Sequence, residues 1–272
     1  MEDDNRQDEV SVLLKLKCRE LAKENRWSEV ADTIGDILTR RPNDFGWRCS
    51  FARALAAANR FDEAHAEYET LLRLGPERID VHLGLGDLFK YEESFARALD
   101  CYNRAIAIDP DHGRSYWHRG TAYIELERYT DAINDFNRAI DIDPEWALQY
   151  SDRGEARFEL RDYRGAISDY DAFLRTDRRN SRSRAGVYGA RGIAYLRLKE
   201  YHKAIEDFNE ELLLDPGSAF AYLDRGRAYA RLGNHEKATE DYNKAVELDP
   251  TLTQVEKEIP RGQAWGMKRG HH

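Results

Sequence analysis

The chain has 272 residues, of which 34% are charged and 41% hydrophobic, and its formal net charge is −9. This negative charge argues against a general affinity for nucleic acid or an anionic membrane. The three cysteines, Cys18, Cys49 and Cys101, are widely spaced, which is typical of a reduced intracellular protein rather than a disulfide framework. Neither an apolar leader near the N-terminus nor a run of about 18 apolar residues is visible, so we expect a cytoplasmic protein with no membrane contact.

Prolines recur along the chain at an interval of 34 residues. They are Pro42, Pro76, Pro110, Pro144, Pro216 and Pro250. The step from Pro144 to Pro216 is 72 residues, which equals two repeats with four extra residues. A fixed period of about 20–50 residues indicates a solenoid, in which each unit buries one face against its neighbours. The period predicts seven units: 11–44, 45–78, 79–112, 113–146, 147–184 with the insertion, 185–218 and 219–252.

Within each unit the same residue types return at the same positions. Position 8 is Gly86, Gly120, Gly154, Gly192 and Gly226; position 20 is Ala64, Ala98, Ala132, Ala166, Ala204 and Ala238; position 24 is Tyr68, Tyr102, Phe136, Tyr170, Phe208 and Tyr242. Small residues at positions 8 and 20 predict two helices in close approach, with Gly120 against Ala132 and Gly226 against Ala238. Proline cannot donate to a helix and disfavours helical geometry in the preceding residue, so it is expected to end the second helix.

This arrangement of Gly, Ala, aromatic residues and Pro resembles the tetratricopeptide repeat family over residues 11–252. The resemblance implies an all-α fold, a right-handed superhelical solenoid of seven helix-turn-helix units followed by a C-terminal capping helix. It also implies a non-catalytic scaffold or adaptor that binds a peptide segment or a helix of a partner protein. In the family the first helices of successive units line a concave groove.

Position 7 is Arg in four units: Arg119, Arg153, Arg191 and Arg225. Position 23 in the same four units is Asp135, Asp169, Asp207 and Asp241. Units with another residue type at position 7 lack Asp at position 23, so we predict one Arg–Asp pair across the two helices of each of the four. The alternative is a set of independent surface charges.

The two ends of the chain depart from the repeat. The first unit has Cys18 at position 8 and Ile34 at position 24, which is expected of a terminal capping unit. Residues 1–10 form an acidic tail. Residues 253–260 are predicted as a capping helix and residues 261–272 as a flexible tail.

The family's groove positions fall on a definite set of residues here. The predicted partner-binding residues are Asp87, Lys90, Tyr91, Arg114, Trp117, His118, Thr121, Ser151, Asp152 and Glu155. Basic residues, among them Lys15, Arg19, Lys23 and Arg53, occupy the same positions in the first two units. Trp117 lies one position after the family's usual Trp, so we expect it in the groove as an aromatic anchor; packing between repeats is the alternative.

The residues that clamp a chaperone's C-terminal carboxylate in this family are missing. That clamp needs Lys and Asn at positions 5 and 9 of one unit, followed by Asn in the next. Here Lys15 is followed by Arg19, and the next unit has Ser50. We therefore do not expect a chaperone tail as the partner.

The insertion is rich in arginine in an otherwise acidic protein. Arg178, Arg179, Arg182 and Arg184 are candidates for contact with phosphate or an acidic segment. A longer solvated helix end or a hinge is the alternative.

The sequence supports three other functions less well than a scaffold. An enzyme is disfavoured because no phosphate-binding, zinc-protease or nucleophile-elbow motif occurs; no catalytic residue, metal site or cofactor is expected. Nucleic-acid binding rests only on the arginine-rich insertion and the basic groove ends. A structural homo-oligomer stacked through its terminal repeats is the remaining alternative.

Overall fold

The computed structural model describes residues 14–177 and 181–252, and these residues form a succession of helices without a strand. The helices are α1 (14–23), α2 (Trp27–Arg40), α3 (Phe45–Ala57), α4 (Phe61–Leu74), α5 (Ile79–Tyr91), α6 (Phe95–Ile108), α7 (Gly113–Glu125), α8 (Tyr129–Ile142), α9 (Leu148–Glu159), α10 (Tyr163–Thr176), α11 (Ser181–Arg197), α12 (Tyr201–Leu214), α13 (Ala219–Arg231) and α14 (His235–Leu248), followed by a 3₁₀ turn, Pro250–Leu252.

Each pair of helices is joined by the same tight turn. Position 15 of the repeat adopts a left-handed backbone in all seven turns, yet only the last turn has a glycine there, Gly233 at φ 79°. The other six residues, with φ between 56° and 62°, are Asn25, Asn59, Glu93, Glu127, Arg161 and Lys199. A left-handed residue is unfavourable without glycine, so packing of the two flanking helices holds this turn in place.

The recurrent proline ends the second helix of a unit as predicted. The second helices of the six units that carry it end two residues before it, at Arg40, Leu74, Ile108, Ile142, Leu214 and Leu248. The residue between is the helix C-cap, and its N–H still donates to a carbonyl of the last turn; Asp143 donates to Ala139 at 2.9 Å. Proline restricts the residue before it and so is compatible with this end. It is not the sole cause, because α10, whose unit has Arg178 in place of the proline, also ends at this repeat position, at Thr176.

The chain divides into two compact units, Met1–Pro144 and Glu145–His272. In the first, α1–α8 pack within their pairs and against the neighbouring pair, around buried residues such as Ile34, Leu55 and Leu71. In the second, α9–α14 do the same around Tyr170, Phe173 and Phe208. The hydrophobic core of each unit is therefore built from contacts between adjacent helix pairs.

The aromatic ring at position 24, and not the alanine at position 20, is the group nearest to the glycines at position 8. A Cβ added to Gly120 would lie 2.7 Å from Cε1 of Phe136, and one added to Gly154 would lie 2.7 Å from Cε1 of Tyr170. Likewise the nearest atoms to Gly226 are those of the Tyr242 ring. Position 8 is small because the ring at position 24 occupies the space. The predicted approach of Gly226 to Ala238 is confirmed, since the added Cβ would also lie 3.2 Å from the Ala238 carbonyl oxygen, whereas Ala132 is not among the nearest atoms to Gly120.

The four predicted Arg–Asp pairs are confirmed. Each guanidinium donates two hydrogen bonds to its carboxylate; in the first pair, Arg119 Nε and Nη2 lie 2.7 Å from the two oxygens of Asp135. The other three are Arg153–Asp169, Arg191–Asp207 and Arg225–Asp241. The carboxylates are almost fully buried, with 3–8% side-chain exposure.

Three of these arginines also reach back to the preceding repeat. Arg119 Nη1 donates to Asn103 at 2.7 Å, and Arg225 Nη1 donates to Asn209 at 2.7 Å. Arg191 makes the equivalent contact with Asp171. All three acceptors occupy position 25, so one side chain closes its own helix pair and fixes the register of the previous pair.

The four extra residues lie at the start of a first helix. α11 has 17 residues and begins at Ser181, four residues before position 1 of its repeat. The predicted capping helix at 253–260, the tail at 261–272 and the acidic residues 1–10 lie outside the described part of the chain.

Candidate protein-binding surface

Besides Arg114, six of the predicted groove residues lie on two adjacent first helices, α5 and α7. We call them the α5–α7 surface: Asp87, Lys90, Tyr91, Trp117, His118 and Thr121. Asp87 Oδ1 lies 2.9 Å from His118 Nδ1, and Lys90 Nζ donates to Thr121 Oγ1 at 3.2 Å. The two helices are thus linked by polar contacts between residues of adjacent units.

The carboxylate of Asp87 is the centre of this network. It also accepts a hydrogen bond from the Tyr102 hydroxyl of α6 at 2.8 Å. Burial raises the pKa of Asp87, but the hydrogen bond from His118, the charges of His118 and Lys90, and the Tyr102 hydroxyl outweigh it, so that the pKa lies below its ordinary value. Asp87 therefore stays ionised and holds the surface in one arrangement.

Two aromatic rings offer apolar contact beside this network. Tyr91 is 59% exposed, although a tyrosine on a helix usually packs its ring. Trp117 is half-buried and meets the His118 ring edge-on, with centroids 4.9 Å apart. Because His118 is held by Asp87, the Trp117 ring has a fixed support.

The remaining predicted groove residues are placed separately. Arg114 is exposed on the first turn of α7. Ser151, Asp152 and Glu155 lie on α9 in the second compact unit, where Ser151 Oγ donates to the Leu148 carbonyl at 2.8 Å.

The four candidate arginines of the insertion differ in their surroundings. Arg178 and Arg179 lie outside the described residues, and Arg182 is exposed. Arg184 donates to the carbonyls of Leu174 and Asp177 at 2.8 and 2.6 Å, and so binds the end of α10. Its guanidinium is occupied by its own chain, which weakens its candidacy as an anion contact.

A pocket between the first two units was only partly foreseen. It has a volume of about 820 Å³ and lies between α1, α2 and α3; we call it the α1–α3 pocket. The predicted basic residues Lys15, Arg19 and Arg53 line it, together with Trp27 and Trp47. The sequence indicated the cations through their repeat positions. The tryptophans lie outside the groove positions, Trp27 at position 17, where five other units also have an aromatic residue, and Trp47 at position 3, and neither was predicted to line a site.

Within residues 14–177 and 181–252, no three His, Cys, Asp or Glu side chains are grouped so that they could hold a metal ion. No helix in the same residues is both long and apolar enough to cross a membrane. The arrangement of the α5–α7 surface is suited to non-covalent recognition, through one exposed and one half-buried ring flanked by fixed charges.

Family models and one curated relative match this chain. Models described as tetratricopeptide repeat match residues 49–89, 85–149, 185–218 and 219–252. The curated relative is the probable UDP-N-acetylglucosamine–peptide N-acetylglucosaminyltransferase SPINDLY of Arabidopsis thaliana. It is 32% identical over 76 residues, which make up 28% of this chain and 8% of that protein. The chain thus matches a small fraction of that relative's length.

Several solved structures share the fold. The structure of YrrB, described as a TPR protein with an unusual peptide-binding site, has a TM-score of 0.60 and 21% identity, covering 71% of this chain and 98% of that chain. PilF of Pseudomonas aeruginosa has a TM-score of 0.67 and 18% identity, covering 79% and 99%. The APC/C hetero-tetramer Cut9–Hcn1 has a TM-score of 0.69 and 17% identity, covering 89% and 48%. At these identities the likeness shows the fold alone.

Proposed function

Since this chain belongs to the tetratricopeptide repeat family, we propose that it is a non-catalytic scaffold that binds a peptide segment or a helix of a partner protein. The contact is made by the α5–α7 surface, with Arg114 beside it and Ser151, Asp152 and Glu155 of α9 as further contacts. The observation that carries the proposal is an exposed ring on α5, Tyr91, together with the Trp117 ring on the adjacent helix α7, whose support is fixed by the Asp87–His118 contact.

The chemistry of this surface favours a segment with both apolar and charged side chains. Tyr91 and Trp117 supply large rigid area, and burying such rings concentrates binding energy in few residues. Because Asp87 and Lys90 already have partners across the two helices, they pre-organise the surface, and binding needs little rearrangement there.

Capture experiments with the full chain test this proposal. Wild type is compared with Tyr91→Ala/Trp117→Ala and with Asp152→Lys, each immobilised and exposed to an extract of the source cells, with quantitative mass spectrometry of bound proteins. We expect the double variant to lose its specific partners by about 30-fold or more, the effect of deleting a binding hot spot. The matched control is Leu213→Ala, which removes an apolar side chain that is 74% exposed on α12.

Identical partner sets from wild type and both variants would contradict the proposal. Static light scattering at several concentrations tests the competing structural homo-oligomer, since stacked repeats would give a concentration-dependent mass. Binding of the arginine-rich insertion to phosphate or nucleic acid would instead depend on Arg182 and not on Trp117.

A further inference from the structure

The α1–α3 pocket differs from the α5–α7 surface in its charge. Four cations line it, Lys15, Arg19, Arg41 and Arg53, against one carboxylate, Asp44. That carboxylate caps α3, where its Oδ1 accepts from the Trp47 N–H at 3.1 Å. A positive pocket in a chain of net charge −9 selects strongly by sign, because field lines concentrate in a concave site.

Three of these cations are not neutralised by the described chain. Several arginines in the first compact unit pair with carboxylates; Arg48 bonds Glu67 at 2.5 Å, and Arg60 bonds Asp32 and Glu63 at 2.8 and 2.7 Å. By contrast, Lys15, Arg19 and Arg53 form no ion pair with any residue in 14–177 or 181–252. These three charges line one cavity whose single carboxylate, Asp44, caps α3.

The rest of the lining is apolar and aromatic. α2 contributes Trp27, Val30 and Ile34, and α3 contributes Trp47, over whose ring Lys15 Nζ lies at 5.9 Å. Val30 and Ile34 belong to the buried core, so this part of the pocket is rigid. The volume falls within the range of about 300–1,000 Å³ that is usual for ligand pockets.

We propose that the α1–α3 pocket is a second binding site, and that it takes an acidic segment of a partner protein with an apolar side chain among its carboxylates. The apolar side chain packs against Trp27 and Trp47, and the neighbouring carboxylates accept hydrogen bonds from Arg19, Arg53 and Lys15. Guanidinium–carboxylate contacts of this kind are short and charge-assisted, and they give specificity for the sign and shape of the ligand. The site does not depend on the α5–α7 surface.

Fluorescence anisotropy with a defined probe tests the proposal. The probe is a short labelled peptide in which Asp and Glu flank one Leu, and its neutral counterpart carries Asn and Gln instead. We expect the full chain to bind the acidic probe, to ignore the neutral one and to bind more weakly at about 0.3 M salt, where surface charges are screened. Arg19→Glu/Arg53→Glu should weaken binding by at least about tenfold, since attraction is replaced by repulsion.

Two control variants isolate the pocket. Arg73→Glu/Arg78→Glu makes the same change in net charge in the same compact unit, outside the pocket lining, and should leave the affinity within about twofold. Tyr91→Ala/Trp117→Ala should also bind the acidic probe as wild type does, so that failure of one site is distinguishable from failure of the other. Circular dichroism establishes that every variant is folded.

Three results would overturn the proposal. One is equal binding by wild type and Arg19→Glu/Arg53→Glu. Another is tighter binding of a single-stranded oligonucleotide than of the acidic peptide, which would make the pocket a nucleic-acid site. The last is binding that occurs only after Asp3, Asp4, Asp8 and Glu9 are changed to amides in the full chain, which would assign the pocket to the chain's own acidic residues.

Discussion

At the scale of residues, the carboxylate of Asp169 accepts hydrogen bonds from two arginines of the second compact unit. Arg153 Nη2 and Arg157 Nη1 donate to it at 2.6 and 2.8 Å, and its side chain is 3% exposed. A buried pair of this kind adds little net free energy compared with an apolar contact, but removing one partner leaves charge without compensation. The main effect of the pair is therefore to determine which two helices pack together and in what register.

We predict that Asp169→Ala lowers the stability of the second unit by about 2–4 kcal/mol, because two partly buried guanidinium groups lose their shared carboxylate. The control is Asp131→Ala, whose exposed pair with Arg128 is worth less than about 1 kcal/mol. Urea unfolding followed by circular dichroism measures both. Equal midpoints for the two variants would contradict this account.

At the scale of elements, α11 shows that two glycines in one helix have opposite roles. A Cβ on Gly192 would lie 2.8 Å from Cε1 of the fully buried Phe208, whereas one on Gly186 would meet nothing within 4 Å. Gly192 is therefore required by packing, and Gly186 only costs the helix backbone entropy.

We accordingly expect opposite signs for the same substitution. Gly192→Ala should destabilise, since overpacking costs about 1–3 kcal/mol and exceeds the gain in helix propensity. Gly186→Ala should stabilise by about 0.5–1 kcal/mol. The midpoint temperatures of thermal unfolding of the two variants and of wild type, measured under identical conditions, test this expectation. A lower midpoint for Gly186→Ala than for wild type would contradict it.

The helix pairs and the Arg–Asp pairs could be predicted because both follow the repeat period, which fixes the face of a helix on which each residue lies. The group that lies closest to Gly120 could not be predicted, since the way in which two crossing helices are displaced along each other depends on the size of their side chains and not on the spacing of residues in the sequence. The hydrogen bonds of Arg184 could not be predicted for another reason: their acceptors are backbone carbonyls, which have no sequence signal. For the α5–α7 surface, repeat positions placed the residues on adjacent helices, but the Asp87–Tyr102 bond comes from α6 and was missed.

At the scale of the whole molecule, cohesion is local, because helices pack against their own pair and the neighbouring pair. In such an array stability is close to a sum of units and interfaces. A defect in one unit should therefore loosen its neighbours and leave more distant units intact, unlike a defect in a single shared core.

Ile34→Ala tests this locality. The side chain is 2% exposed between α2 and α3, and truncation should cost about 2–5 kcal/mol. Hydrogen exchange read by mass spectrometry should show lost protection in α1–α3 and wild-type protection in α7 and α8. Uniform loss of protection across α1–α8 would show that the first compact unit unfolds as one.

The arginine at position 7, which bonds its own Asp and the position-25 residue before it, bears on how such an array can lengthen by duplication. The last repeat, residues 219–252, carries Asn243 at position 25. Asparagine is also the residue type at position 25 of the preceding repeat, where Asn209 accepts a hydrogen bond from Arg225. A tandem copy of this segment would therefore present an asparagine to its own arginine at the new junction. The end of this repeat therefore already carries the residue that the start of an identical repeat needs. The array can gain a unit by one duplication without a compensating substitution.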